Sequence, residues 1–304
     1  MQRTRGPLAF LVAATIFLSG CQGALFAGLN STNSRTGVEQ RRGIVFDAKH
    51  RLALDVYRPE HAEHAPLVVF FYGGSWTRGE RSWYRFVGTA LAKNGVVAMI
   101  PDYRKLPAVA LDGFMHDAAG AVAWARTHAG EFGADAHDVF VMGHSSGGHI
   151  AALLATDPHW LAADALTPRD LAGCIGLAGV YTFLPEDDDD DDMLSVFGDS
   201  AQTRENAAPV HFVRGGEPPM LLLQGLADHE VDPANALALE AALRAQGEEA
   251  DLKLYPGIGH SRVLFSMSEP MRHRAPTLTD VLAFVRAHAH GGSDTPAPAV
   301  AGTH

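Results

Sequence analysis

Apolar and polar positions along this chain alternate in blocks. Pro66–Tyr72, Val96–Pro101, Leu171–Val180 and Pro219–Gln224 are short, nearly continuous apolar runs, the pattern of strands buried on both faces. Asp138–Met142 and Asp251–Tyr255 complete the series. Between these runs lie stretches with apolar residues at helical spacing, such as Arg81–Asn94, where Trp83, Phe86, Val87, Ala90 and Leu91 share one face. Ala118–His128, Ala234–Gln246 and Pro276–His290 are further helix candidates. Gly43–Asp47 and Leu52–Arg58 instead alternate residue by residue, with Ala48-Lys49-His50-Arg51 between them, and suggest an antiparallel hairpin. The order predicts an α/β domain over 43–290: a mostly parallel central sheet with an N-terminal antiparallel hairpin and helices on both faces.

The rhythm breaks in three places. Thr182–Gly216 contains Glu186 and the aspartates Asp187 to Asp192, and is expected to form a short cap insertion with an acidic loop. Consecutive like charges repel, and no turn-forming glycine interrupts them, so a solvated loop is favoured over a calcium site. Gly23–Arg42 is small, polar and weakly periodic, and reads as part of a tether, 21–42, with one helical turn. Gly291–His304 has the composition of a disordered tail.

On a parallel sheet, chemistry belongs in the loops at the carboxyl ends of the strands. Gly143-His144-Ser145-Ser146-Gly147 lies at such an end, between Val139–Met142 and the helical Ile150–Ala155, and has the form of a nucleophile elbow. Small neighbours let strand and helix approach closely around a strained serine. Asp228 follows the strand Pro219–Gln224, and His260 follows the last strand through Pro256-Gly257-Ile258-Gly259. Their order, serine then aspartate then histidine, is the one this elbow requires. Serine needs an imidazole to take its proton, and the imidazole needs a carboxylate to hold its tautomer. Asp232 is the rival acid, but it precedes Pro233 and resembles a helix N-cap, so Asp228 is preferred. The glycines of Gly73-Gly74-Ser75-Trp76, directly after a strand, let backbone N–H groups approach a ligand.

Tyr72-Gly73-Gly74-Ser75-Trp76, Asp102-Tyr103-Arg104, the elbow, Gly225-Leu226-Ala227-Asp228 and Gly257-Ile258-Gly259-His260 together resemble the esterase/lipase branch of the α/β-hydrolases. That branch includes hormone-sensitive-lipase-like and feruloyl-esterase-like carboxylesterases and kynurenine formamidases. The resemblance implies an oxyanion hole of backbone N–H groups from Gly73, Gly74 and Ser75 and from Ser146. It assigns Asp102-Tyr103-Arg104 a bracing role. The sequence departs from the usual His-Gly-Gly pattern, having tyrosine at position 72. Trp76 and Phe197 are the candidate pocket walls.

Composition narrows the partners. Hydrophobic content of 47% with 19% charged residues describes an ordinary globular core. The net charge of −11, more than half of it from Asp187–Asp192, argues against nucleic acid. Neither H-E-x-x-H nor a Cys/His cluster is present, so no metal and no cofactor is expected. Cys174 sits in an apolar run and reads as a buried hydrophobe. At the amino terminus, Arg3, Arg5 and the apolar Leu8–Leu18 form an export signal too short for a comfortable membrane span. Leu18-Ser19-Gly20-Cys21 resembles a bacterial lipobox, which implies a signal peptide over 1–20 and lipidation of Cys21. Gln22 after it suggests the outer membrane, with the domain facing the periplasm.

The expected function is a serine carboxylic-ester hydrolase acting on small-to-medium acyl or aryl esters. Amide chemistry with the same triad, as in formamidases or peptidases, is the enzymatic alternative. A surface lipoprotein that binds ligand without catalysis is the alternative of another class.

Overall fold

The computed structural model describes residues 23–183, 196–198 and 200–290. The signal segment with Cys21, the acidic run Asp187–Asp192 and the tail 291–304 lie outside the described residues.

Among the described residues one eight-stranded sheet organises the domain, in the order β1-β2-β4-β3-β5-β6-β7-β8. β1 (Val38–Asp47) and β2 (Leu52–Pro59) pair antiparallel, and β2 pairs antiparallel with β4 (Val97–Pro101). From β4 onward the sheet is parallel: β3 (Ala65–Phe71), β5 (Ala134–His144), β6 (Gly173–Leu177), β7 (Met220–Gly225) and β8 (Ala250–Tyr255). The mostly parallel sheet with its antiparallel N-terminal hairpin is the expected α/β-hydrolase architecture.

The central strands explain their composition. Leu67–Phe71 in β3 and Val139–Met142 in β5 are fully buried, because helices cover both faces of the sheet. Arg85–Ala92, Leu111–His128, Ser146–Thr156, Ala234–Ala245 and Thr277–His288 are the main helices. The chain order reverses around β3 and β5, which place their carboxyl ends side by side: Phe71 of β3 is in register with Gly143 of β5. That crevice is where ligands bind on open α/β sheets.

Two segments depart from the expectations. Residues 23–32, expected to belong to a tether, form a helix packed on the domain, and β1 begins within the supposed tether at Val38. Gly28, Ser31 and Thr32 are weak helix formers set among Ala24, Leu25, Ala27 and Leu29, and a segment this short is marginal as an isolated helix. Phe26 and Leu29, three apart on one face, are buried and supply the packing that propensity lacks. Secondly, His260 opens a short helix, His260–Phe265, that the loop reading did not anticipate. Within the segment expected to form a cap insertion, Ala201–Glu205 is helical and Pro209–Phe212 is a single tight turn of helix.

Candidate active site

Ser145 stands between β5 and the helix Ser146–Thr156 with φ 56° and ψ −124°, a conformation costly to a residue with a side chain. Its N–H donates to the carbonyl of Leu177 at the end of β6, which fixes the turn. The glycines around it are sterically required. A Cβ on Gly143 would collide with the carbonyl of Gly147, and one on Gly147 with that of Phe71. Strand and helix therefore meet at this angle only because both positions lack side chains.

Asp228 and His260 come together as expected. Asp228 Oδ2 lies 2.9 Å from His260 Nδ1, with both side chains buried. The carboxylate is held on every side: Gln224 Nε2 donates to Oδ2 at 2.9 Å, and the N–H groups of Glu230 and Val231 donate to Oδ1 at 2.9 and 3.0 Å. Burial pushes its pKa up, but the hydrogen bond and charge of His260 and the two backbone donors outweigh it and hold the group below its ordinary value. An ionised Asp228 on Nδ1 places the His260 proton there and leaves Nε2 as the acceptor. Asp232 is engaged elsewhere: its Oδ1 accepts the N–H of Ala234 at 2.7 Å, at the start of the helix Ala234–Ala245.

His144, the residue before the serine, is a supporting group that the sequence reading passed over. Its ring lies 4.8 Å from that of His260, and its Nε2 is 3.3 Å from the His260 carbonyl oxygen. Burial, and then the neighbouring His260, lower its pKa to about 3, so it is a neutral donor that pins the His260 backbone. Its place inside the elbow motif was the available signal.

The turn Gly73-Gly74-Ser75 abuts the elbow: a Cβ on Gly73 would lie 2.9 Å from the His144 carbonyl and 3.0 Å from Ser145 Cβ. Gly74 at φ +140° and Ser75 at φ 50° turn the loop back over the strand end. Ser146 begins the elbow helix, where first-turn N–H groups have no intrahelical acceptor. The loop is braced by tyrosines. Tyr103 donates to the Tyr72 carbonyl at 2.8 Å and Tyr84 donates to the Gly73 carbonyl at 3.2 Å. Tyr72 in turn donates to Asp102 at 3.3 Å, and Arg81 ties Asp102 to Asp55. Arg104 grips Asp117 with two nitrogens. Asp102-Tyr103-Arg104 is thus a structural brace.

Ser145, His260, Gly73, Gly74 and Ser75 line one cavity of about 170 Å³. Its other walls are Leu25, Phe26, Trp83, Tyr84, Leu264 and Phe265, with Arg78 and Glu230 as charged members. Trp76 and Phe197 are not among its lining residues. They are 2% and 5% exposed and pack edge to face on each other at 4.8 Å, with Trp76 donating to His149 Nδ1. Their burial places them in the core behind the elbow. Two wider depressions, about 550 and 660 Å³, contain neither Ser145 nor His260, so chemistry and not size identifies the site.

Among the described residues, Asp47, His50 and Asp117 bring one potential ligand atom each within 4.8 Å of one another. Asp117 already holds the Arg104 guanidinium, and Asp47 holds His50 at 2.7 Å, so these donors are already engaged.

Known proteins share the fold and much of the chain. The isoprenylcysteine alpha-carbonyl methylesterase of Arabidopsis thaliana is 27% identical over 83% of this chain and 63% of its own length. Esterase LipC of Mycobacterium tuberculosis is 30% identical over 74% of this chain and 60% of its own. The chain thus spans about three fifths of the length of these curated relatives. Among solved structures, esterase B of Lactobacillus rhamnosis superposes with a TM-score of 0.76 at 20% identity, covering 91% of this chain and 95% of that one. Propionate-bound esterase 2 of Thermogutta terrifontis gives a TM-score of 0.68 at 25% identity, over 86% and 98%. The BD-FAE family profile matches residues 54–243, which include the glycine turn, the elbow and Asp228. With more than half its length inside that match and an α/β-hydrolase fold around it, this chain belongs to the BD-FAE family.

Proposed function

We propose that this chain is a serine carboxylic-ester hydrolase in which Ser145, His260 and Asp228 form the catalytic triad. The observation that carries the reading is the buried 2.9 Å contact of Asp228 with His260 Nδ1, in a cavity that also holds the strained Ser145. Structural packing alone does not call for that combination.

The chemistry follows in two halves. Ser145 Oγ attacks the ester carbonyl carbon as its proton passes to His260 Nε2, and Asp228 stabilises the imidazolium so formed. The carbonyl oxygen becomes an oxyanion held by backbone N–H groups of the Gly73–Ser75 turn and of Ser146. Each such donor contributes about 2.7–4 kcal/mol to the transition state. The intermediate collapses, His260 gives its proton to the departing alkoxide, and the acyl group remains on Ser145. Water then enters, loses a proton to His260 Nε2 and attacks the acyl carbon. Collapse releases the carboxylic acid and returns the proton to Ser145.

The cavity of about 170 Å³ favours a short acyl chain or a single aryl ring. The relatives support this: the Thermogutta esterase is known with propionate and with butyrate, and the Lactobacillus esterase with a tributyrin phosphonate. The lipobox-like Leu18–Cys21 supports a lipid anchor at Cys21 that holds the enzyme on the outer membrane, facing the periplasm. Loss of radiolabelled palmitate incorporation in Cys21→Ser would support the anchor, and retained label would exclude it.

The test of activity is turnover of p-nitrophenyl acetate, butyrate and octanoate beside Ser145→Ala. A loss of at least about a thousandfold is expected for the missing nucleophile. Equal rates in both proteins would refute the reading.

A further inference from the structure

We propose that the helix over residues 23–32 is a wall of the substrate cavity, and that Phe26 sets the length of the ester chain the site accepts. The inference rests on the esterase reading above and adds a specificity-determining residue to it.

The family match begins at residue 54, so this helix lies outside the part of the chain shared with the family profile. Yet it reaches the reacting atoms' cavity: Leu25 and Phe26 line the same space as Ser145 and His260. Phe26 is 8% exposed, and its ring is wedged between the two sides of that space. On one side it stacks on Trp83 at 5.3 Å and tilts against Tyr84 at 5.0 Å. On the other it meets Phe265 edge-on at 5.7 Å. Phe265 ends the short helix that begins with His260, so Phe26 packs on the element that carries the base.

The helix is fastened to both sides as well. Asn30 Nδ2 donates to the carbonyls of Ser82 and Trp83, both at 3.1 Å, and its Oδ1 accepts the N–H of Phe86 at 2.9 Å. Asn33 Oδ1 accepts the N–H of Glu269 at 2.9 Å, just beyond the His260 helix. Two side-chain amides thus bridge the segments that flank the cavity and hold Phe26 in place. A mere spacer makes no use of such contacts. A cavity of about 170 Å³ is close to the roughly 150 Å³ that accommodates benzene, and the Phe26 ring is one of its walls. Removing that ring lengthens it. One methylene in an apolar pocket is worth roughly 10–200-fold in discrimination. Leu25, half exposed, forms the rim next to it.

The experiment uses the full-length protein and two substrate series: p-nitrophenyl esters from acetate to decanoate, and acetate esters of alcohols from ethanol to octanol. These vary the acyl and the alcohol side separately. In Phe26→Ala, the ratio of kcat/KM for the longest to the shortest ester is expected to rise at least about tenfold in one series. In Leu25→Trp, which fills the rim from a half-exposed position, the same ratio is expected to fall. Should Phe26→Ala not fold by circular dichroism, Phe26→Leu with Leu25→Trp decides the matter. Folded variants that keep the parent ratios in both series, or lose activity uniformly at every length, would overturn the proposal and leave the helix a structural cover. A parent inert on every ester would instead overturn the esterase reading, and this inference with it.

Discussion

Asp228 Oδ2 sits 2.9 Å from Nδ1 of His260, while Asp232, four residues on, caps a helix through Ala234. The two aspartates share a loop but not a task. Asp228→Asn keeps the size of the side chain and loses the charge that holds the Nδ1–H tautomer, so kcat is expected to fall by about 10⁴-fold. Asp232→Asn is expected to change kcat less than about threefold and to cost at most about 1 kcal/mol of stability, since Asn also caps. Steady-state kinetics and urea unfolding of both variants check the pair. A larger kinetic loss in Asp232→Asn than in Asp228→Asn would reverse the assignment of the acid.

The backbone of Ser145 makes a second prediction. At φ 56° a side chain is strained by roughly 1–3 kcal/mol, and glycine is not. Both Ser145→Ala and Ser145→Gly remove the nucleophile. Ser145→Gly is nevertheless expected to be the more stable of the two by about 1 kcal/mol in chemical denaturation. An Ala variant equal to or more stable than the Gly variant would mean that the elbow is relaxed.

Stability should also fall on mild acidification. His149 is buried between Trp76 Nε1 and the Ala207 carbonyl, 3.3 and 2.8 Å from its ring nitrogens. Burial lowers its pKa from the ordinary 6.5 to about 4, and that of His144 to about 3. Below pH 6.5 the unfolded chain takes up protons at these rings and the folded chain does not. Their contribution is therefore fully present above pH 6.5 and is lost as the pH falls towards 4, at about 1.4 kcal/mol per pH unit for each ring. His149→Gln keeps hydrogen-bonding capacity without a titrating group, and its stability should decline less steeply between about pH 6 and 4.5. An unchanged slope would show that His149 is protonated in the folded state.

The glycine turn offers a third handle on the site. A Cβ at Gly73 would press on the His144 carbonyl and on Ser145 Cβ. Gly73→Ala is expected to lower kcat at least about tenfold by displacing the oxyanion donors, with the melting temperature changing less than in Gly147→Ala, whose Cβ meets the backbone of Phe71. Equal catalytic and thermal effects in the two variants would argue that Gly73 is merely a packing glycine.

Most of this was legible in the sequence because the central strands are buried on both faces and leave continuous apolar runs. The elbow, Asp228 and His260 were legible because their order and their strand-end positions follow from the topology. The walls were not. Trp76 lies next to the glycine turn in sequence, but at φ 55° the backbone carries its ring into the core against His149 and Phe197. Phe26 lies in a short apolar segment interrupted by Gly23 and Gly28, and only contacts with Trp83, Tyr84 and Phe265, far along the chain, make it a wall. The bracing of the Gly73 turn by Tyr84 and Tyr103 is equally non-local.

Catalysis of the kind proposed requires a covalent bond to Ser145. Treatment of the folded protein with a p-nitrophenyl butylphosphonate, followed by intact-mass and peptide analysis, tests it most directly. One phosphonyl adduct per chain on the peptide containing Ser145, absent in Ser145→Ala and slowed by at least about a hundredfold in His260→Ala, is the expected result. A folded chain that takes up no phosphonate, or takes it up on another residue, would contradict the account.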